Sequence, residues 1–542
     1  MNIIKNYSTF FLFFFISISS FAANYYVNAK IGNDKNNGKS EAKAWKTLAK
    51  VSRENFKPGD RILLATGQEF FGTIEWVSQI GEKSKPIVIS RYSYKQASEN
   101  PIINAKGFLN GVLLENCSYI KVEALTIVAN GGIKPKARKK PMRCGVLITT
   151  SKEGISENIS LIHLVVKDIF FENPNFQRGA KEVKTANGTQ SYGWGIRCIN
   201  TNKKSSLKDI SVENCTVSNI GHTGIKIGGK LNGLKLYKNR VFKTGGPGMQ
   251  MSVITDGHVY NNTVDQSGSK DDSRKWGRGS GLWTWGCKNI LIEHNSFRNA
   301  SGPADSAGCH IDFNCSDVIV QYNISENNAG GFCEILGNNW NCAYRYNISI
   351  NDGYRIKKKG VAFQEGKIFW LSGFVGKDRK RHGPYNSYFY NNTIYVKSDL
   401  QAKMAVSKVA LGALLANNIF YIAGESKAVL GDQYKPQEAG EATIENVVFQ
   451  NNLFLKETNW PKAVLIQDKA PVYGNPEFVN PGGKEIKDYI PTNKALVQNK
   501  GIEITKLPGD TKGLFTGMKI KEDIMGNPII GNPDMGAIEI SE

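Results

Sequence analysis

Long amphipathic helical patterns are scarce in this chain, which argues against a helix-rich fold. No glycine-rich segment stands where a strand leads into a helix, so there is neither a dinucleotide fingerprint nor a phosphate-binding loop. The cysteines (Cys117, Cys144, Cys198, Cys215, Cys287, Cys309, Cys315, Cys333 and Cys342) include no Cys-x-x-Cys pair, which removes a zinc ribbon or a thioredoxin-type motif. Repeated Gly-Asp calcium loops are missing as well. After the first residues, no stretch reaches the roughly 18 apolar residues that a membrane helix needs. Acidic residues are in deficit: 48 against 69 basic residues, a net charge of +21. There are only six histidines.

What is present begins with an export signal. A single lysine (Lys5), an apolar run over Phe10–Ile18, and the small residues of Ser20-Phe21-Ala22 predict a signal peptide over 1–22, cleaved near Ala22. The mature chain is therefore expected to be secreted or periplasmic, with a charge of 21 − 1 = +20. Such a field favours polyanions. For an exported protein the partner is expected to be an anionic polysaccharide rather than nucleic acid, and the chain is expected to be a monomer without a membrane span. Export permits a disulfide or two. The odd number of cysteines leaves at least one thiol unpaired, and the plainer reading makes them small hydrophobes buried in the repeat.

A recurring pattern sets the fold. Apolar alternation, an asparagine and a small or β-branched apolar pair recur around Asn214, Asn239, Asn262, Asn295, Asn323, Asn347, Asn392, Asn418 and Asn452. The spacings are 25, 23, 33, 28, 24, 45, 26 and 34 residues. A period in the twenties with insertions marks a solenoid whose coils bury their apolar faces only by stacking. Asparagine tolerates left-handed backbone in a turn, and its amides can hydrogen-bond from coil to coil. The leucine-dense consensus of leucine-rich repeats is missing. The fold class is all-β, a single right-handed parallel β-helix with loop insertions and a capped N-terminus. Residues 23–110 form the cap and first coils, 111–460 the main coils, and 461–542 the last coils and C-terminal segment.

The two ends carry a resemblance. Tyr25-Tyr26-Val27-Asn28, Gly32-Asn33-Asp34, Trp45-Lys46-Thr47-Leu48 and Phe56-Lys57-Pro58-Gly59-Asp60 open the mature chain. Gly526-Asn527-Pro528 and Pro533-Asp534-Met535-Gly536-Ala537-Ile538-Glu539 close it. Both segments resemble those of bacterial secreted parallel β-helix polysaccharide-degrading enzymes. That group contains glycoside hydrolases and lyases. The basic charge, with the face described next, looks most like hydrolases of sulfated fucans or related decorated glycans, with endo cleavage favoured.

A second strand follows each asparagine turn. Aligned on a leading glycine, these read Gly224-Ile-Lys226-Ile, Gly248-Met-Gln250-Met, Gly281-Leu-Trp283-Thr-Trp285, Gly308-Cys-His310-Ile-Asp312 and Gly331-Phe-Cys-Glu334-Ile. Alternation puts Trp283, Trp285, His310, Asp312 and Glu334 outward, with a one-residue slip open at Gly330-Gly331. Carboxylates on adjacent coils fall about 5 Å apart when level and about 7–8 Å apart on the diagonal. These separations bracket both glycosidase geometries. The catalytic candidates are Asp312, Glu334 and His310, with Asp305 as reserve acid; Asp265, Asp271, Asp272 and Glu365 are more distant reserves. Trp283 and Trp285 suit sugar stacking, joined by Lys226 and Gln250. Arg274, Lys275 and Arg278, and the run Arg379, Lys380, Arg381 and His382, are candidate anion binders. The cluster Lys134 to Lys140 is a further basic loop. No cofactor or metal ligand is predicted, with calcium left open. Two rival functions remain. One is a β-eliminating lyase using Lys226, His310 or Arg345. The other is a non-catalytic glycan-binding β-helix.

Overall fold

Along each strand the side chains alternate between the two sides of the coil wall, and the inward set is aliphatic. Ile225, Met249, Leu282, Cys309 and Ile335 belong to one continuous buried core. The computed structural model describes residues 22–133, 143–171, 193–269, 279–302, 304–358, 362, 364–431 and 444–540. Among these residues, all paired strands of the stack run parallel, in one sheet of 24 strands and one of 14. The smaller sheet holds one strand per coil, from Glu69–Phe71 to Val472–Tyr473. The chain is a single right-handed parallel β-helix. The calls on 1–21, the Lys134 to Lys140 cluster, Asp271, Asp272, Arg274, Lys275 and Arg278 lie outside the described residues.

The asparagine repeat is a buried ladder. Each amide nitrogen from Asn239 through Asn262, Asn295, Asn323, Asn347, Asn392 and Asn418 to Asn452 donates to the side-chain oxygen of the next ladder residue, at 2.8–3.0 Å. Asp468 ends the series as acceptor for Asn452 at 2.8 Å. Two expectations are corrected. Asn214 is not a rung; Cys215 stands there, its backbone N–H donating to the Asn239 side chain. Nor do the ladder asparagines supply the left-handed backbone. The residue before each one does, and it is often not asparagine: Lys238, His294, Tyr322 and Tyr346 all have φ between 51° and 55°. The asparagine is selected for its amide, which satisfies backbone groups inside the wall where water is excluded.

The nine cysteines are all buried and free, so the allowance for disulfides is not realised. At the N-terminus, Tyr25 stacks on Trp45 and meets Phe56 edge-on, and the helix Leu48–Arg53 closes the first coil. At the other end the C-terminal segment straps back over a column of tyrosines. Tyr322 donates to the Glu522 carbonyl and Tyr390 to that of Met518. Arg345 is fully buried under this strap, bonded to Gln321, Tyr390, Thr516 and Gly517. It faces away from the strands of the candidate site, which removes it as a lyase base. Among the described residues no helix is long and apolar enough to cross a membrane.

Asn323 donates to the carbonyls of Ile292 and Gln321 as well as to Asn347, and accepts from Asn295. Asn323→Ala leaves several of these groups buried and unmet, at about 1–3 kcal/mol each. The expected result is a fall in Tm of several degrees or more by circular dichroism. An unchanged Tm would show that the ladder does not hold the stack.

Candidate active site

The outward residues of the leading-glycine strands line up as rungs. Arg197 is opposite Lys226, Lys226 opposite Gln250, Gln250 opposite Trp283, and Trp283 opposite His310. Ile311 pairs with Ile335, which puts His310 level with Glu334, and Glu334 pairs in turn with Trp370. The bridge of Ala307 to Gly331 shows that the slip at Gly330-Gly331 does occur. Asp312 extends two residues beyond His310, so it lies diagonally from Glu334.

Burial distinguishes these residues from an open platform. Trp283 points outward but is only 8% exposed and stacks on the His310 ring, with centroids 5.8 Å apart. It is a wall, and the expectation of an exposed indole is corrected for this residue. Trp285 is half-buried and begins an aromatic run: it meets Phe313, Phe313 meets Phe374, and Arg381 lies over Phe374 at 5.8 Å. The structure thus brings Arg381 toward the tryptophan side of the face. His382, next to it, bonds to the Tyr385 hydroxyl, and Tyr385 stacks on exposed Trp340 at 4.0 Å.

His310 is buried, with Nδ1 3.2 Å from the Ser280 hydroxyl. The same hydroxyl oxygen accepts the backbone N–H of Ser306. Asp312 is 9% exposed, and its carboxylate accepts the backbone N–H of Phe313. Burial pushes its carboxyl up to about 7. His310 and the Phe313 amide oppose the rise, while the carboxylates of Asp305 and, next, Glu334 add to it.

Asp305 sits on the turn before the His310 strand. Asp305 and Ser306 both have left-handed backbone, at φ 51° and 68°, an unfavourable pairing of non-glycine residues that the surroundings must hold. Arg355 holds it, donating to the carbonyls of Asp305 at 2.7 Å, Gly302 at 3.3 Å and Gln364 at 2.7 Å. The Gln364 amide donates to the Asp305 carboxylate at 3.2 Å. Asp305, Glu334, Arg355, Gln364, Lys367 and Trp370 line one narrow cleft. Lys367 donates to two backbone carbonyls, lies 4.1 Å from the Trp370 ring, and is lowered to about 8 by burial, with Glu334 the leading charge pulling it back up.

The candidates Asp305, His310, Asp312, Glu334, Trp283 and Trp285 therefore converge, and Lys226 and Gln250 continue the same strip. Asp265 lies on the other sheet, where it accepts from Asn299. Glu365 is spent on the backbone of Lys357 and Lys358 and on Lys403. Sequence reasoning missed Arg355, Gln364, Lys367, Trp370 and Arg197. The glycine signal would have found Trp370, because Gly366-Lys-Ile-Phe-Trp370 repeats the spacing one coil on. Arg355 and Gln364 lie in an irregular insertion with no periodic signal. Among the described residues no group of three acidic, histidine or cysteine side chains is placed to hold a metal ion.

The family model described as a right handed beta helix region matches residues 194–394. A curated relative, the lacto-N-biosidase of Bifidobacterium longum subsp. longum, is 24% identical over 96% of this chain and 36% of its own length. The chain thus spans little more than a third of that relative. A crystal structure of the lacto-N-biosidase from Eubacterium ramulus superposes with a TM-score of 0.53 at 20% identity, covering 75% of this chain and 68% of that one. Its selenomethionine derivative gives 0.50 at 18% identity, covering 80% and 67%. What these structures share with the chain is the fold.

Asp312 supplies a prediction of its own. A carboxyl with a folded pKa near 7, against an ordinary value of 3.8, binds its proton more tightly folded than unfolded. Stability from this group is full below about 3.8 and falls as pH rises to about 7. Asp352 and Glu539 are also raised and act in the same direction, so the difference between variants is the readout. Asp312→Asn is expected to melt higher than the wild type at pH 8 and at the same temperature at pH 4. An equal or lower Tm at pH 8 would mean that Asp312 ionises without cost.

Proposed function

We propose that the protein is a glycoside hydrolase in which Asp312 acts as the protonated acid and Asp305 as its ionised partner. One observation carries this reading: a buried carboxyl held near neutrality beside a second carboxylate, in a cleft walled by aromatic side chains. Two carboxyl groups whose surroundings push their protonation apart are what glycosidic cleavage needs, one to protonate the leaving oxygen and one to act on the sugar carbon or on water. Asp305 takes precedence over Glu334 because its charge acts more strongly on Asp312. Glu334 is level with His310 and close to Lys367, which suits it to fixing the cationic side of the cleft. His310 offers its ring to the site as a polar partner, and Trp285 with Phe313 gives the sugar a partly open face.

The resemblance to the lacto-N-biosidases supports cleavage of glycosidic bonds. The finer expectation, an endo-acting enzyme on a sulfated fucan, is supported by the net charge of +21 and by the Arg197–Lys226 end of the strip. The exported, monomeric state belongs to the same proposal. The lyase reading keeps only Lys226 and His310, and Lys226 stands three rungs from His310.

The test incubates the protein with an aryl lacto-N-bioside, sulfated fucans, carrageenans and uronate polymers. Reducing ends and the ultraviolet absorbance of an unsaturated uronate are followed together. Reducing ends without absorbance are expected, with kcat lowered about a thousandfold in Asp312→Asn and in Asp305→Asn, and less in Glu334→Gln. Absorbance rising with the reducing ends would make the reaction an elimination. Full activity in Asp305→Asn with loss in Glu334→Gln would return the partner role to Glu334. Binding of a glycan without any product would leave a binding protein.

A further inference from the structure

Upstream of the acids, the same strip of rungs carries two cations that no carboxylate of the described residues neutralises. Arg197 and Lys226 are paired across adjacent coils, about 5 Å apart at the backbone. The Arg197 guanidinium lies 4.3 Å from the Trp194 ring, and Leu147 is its rung neighbour on the preceding coil. Trp194, Leu147 and Cys144 form a small apolar cluster there. The Arg197 Nε is buried with no hydrogen-bond partner among the described residues. No carboxylate of the described residues acts on either cation. Besides burial, Arg197 answers to the Cys144 thiol and Lys226 to Arg197, and Lys226 is lowered to about 8.

Arg197 and Lys226 are both half-buried, and two like charges against an apolar wall repel more strongly than they would in water. The arrangement is costly by itself and favourable once an anion bridges the pair. The apolar wall also focuses the field outward, and the planar guanidinium suits two oxygens of one group. Gln250 and Trp283 fill the rungs between this pair and His310. The distance along the strip is therefore about 14 Å, within the reach of one short oligosaccharide lying across both places.

We propose that Arg197 and Lys226 form a subsite for an anionic substituent, a sulfate ester or a uronate carboxylate, on a glycan whose scissile bond lies at Asp312. This rests on the glycan-cleaving reading of the acid cluster. It adds that the protein recognises charge at a fixed distance from the bond it breaks.

The test measures binding by calorimetry to full-length Asp312→Asn protein, so turnover does not enter. The probes are one tetrasaccharide in three forms: neutral, singly sulfated and carrying a single uronate carboxylate. The charged forms are expected to bind at least tenfold more tightly than the neutral one, with the preference fading as salt is raised. Arg197→Gln and Lys226→Gln, each added to that background, are expected to reduce the preference tenfold or more. The sulfated and carboxylated arms identify which anion is taken. Equal affinity for neutral and charged forms, which needs no further variant to observe, would overturn the subsite. So would a preference untouched by both substitutions in folded protein. If the wild type cleaves no glycan while the charged preference and its loss persist, the subsite stands and the hydrolase reading falls. If a neutral glycan is cleaved and no charged preference exists, the reverse holds.

Discussion

Coil-to-coil register is the constraint on which the rest of this molecule depends. In the sheets each strand pairs with the coils above and below, and a slip of one residue would turn every inward side chain outward. The buried series from Asn239 to Asn452 resists such a slip, because each amide must meet both the next ladder residue and its own carbonyls. Backbone pairing alone would tolerate displacement in a parallel stack. The buried amides do not, since a displaced one leaves polar groups unmet where water is excluded.

Fixed register turns an outward column into a site. It sets Trp283 against His310, His310 level with Glu334, and Asp312 diagonal to Glu334. The irregular part of the site hangs on that frame. Arg355 clamps the left-handed turn at Asp305, and Trp370, Phe374 and Leu336 supply an apolar wall outside the main core. The consequence is electrostatic: the water Asp312 loses outweighs what His310 and the Phe313 amide give back, and its proton is retained. Glu334 and Lys367, on adjacent coils but at different levels, share a cation–anion environment instead. In the proposed reaction, the division of labour among the acids follows from which are desolvated and which are compensated.

The fold was legible because the asparagine spacing survives insertions as long as the one between Asn347 and Asn392. The site was legible where it follows the glycine-led strands, which is why Trp283, His310, Asp312 and Glu334 fall together. It was not legible where side-chain volume decides exposure. Alternation gives Trp283 a direction, but only the packed His310 ring shows that the indole is covered. Nor does local pattern reveal that the residue before each ladder asparagine takes the left-handed turn, since lysine, histidine and tyrosine carry no such signal. Arg345 shows the same limit. Its strand position is outward, yet a segment more than 170 residues later covers it, and no periodicity reports so distant a contact. Arg355 and Gln364 belong to an insertion whose conformation is set by the groups it clamps.

Register-locked burial is what keeps Asp312 protonated near neutral pH. Difference infrared spectroscopy of the wild type against Asp312→Asn, recorded across pH, tests it most directly by following the stretch of a protonated carboxyl. A carboxylic-acid band is expected that persists at pH 6, titrates near 7 and is gone by about pH 9. A spectrum with no such band at pH 6 would contradict it, because Asp312 would then be ionised like an ordinary surface aspartate and would have no proton to give.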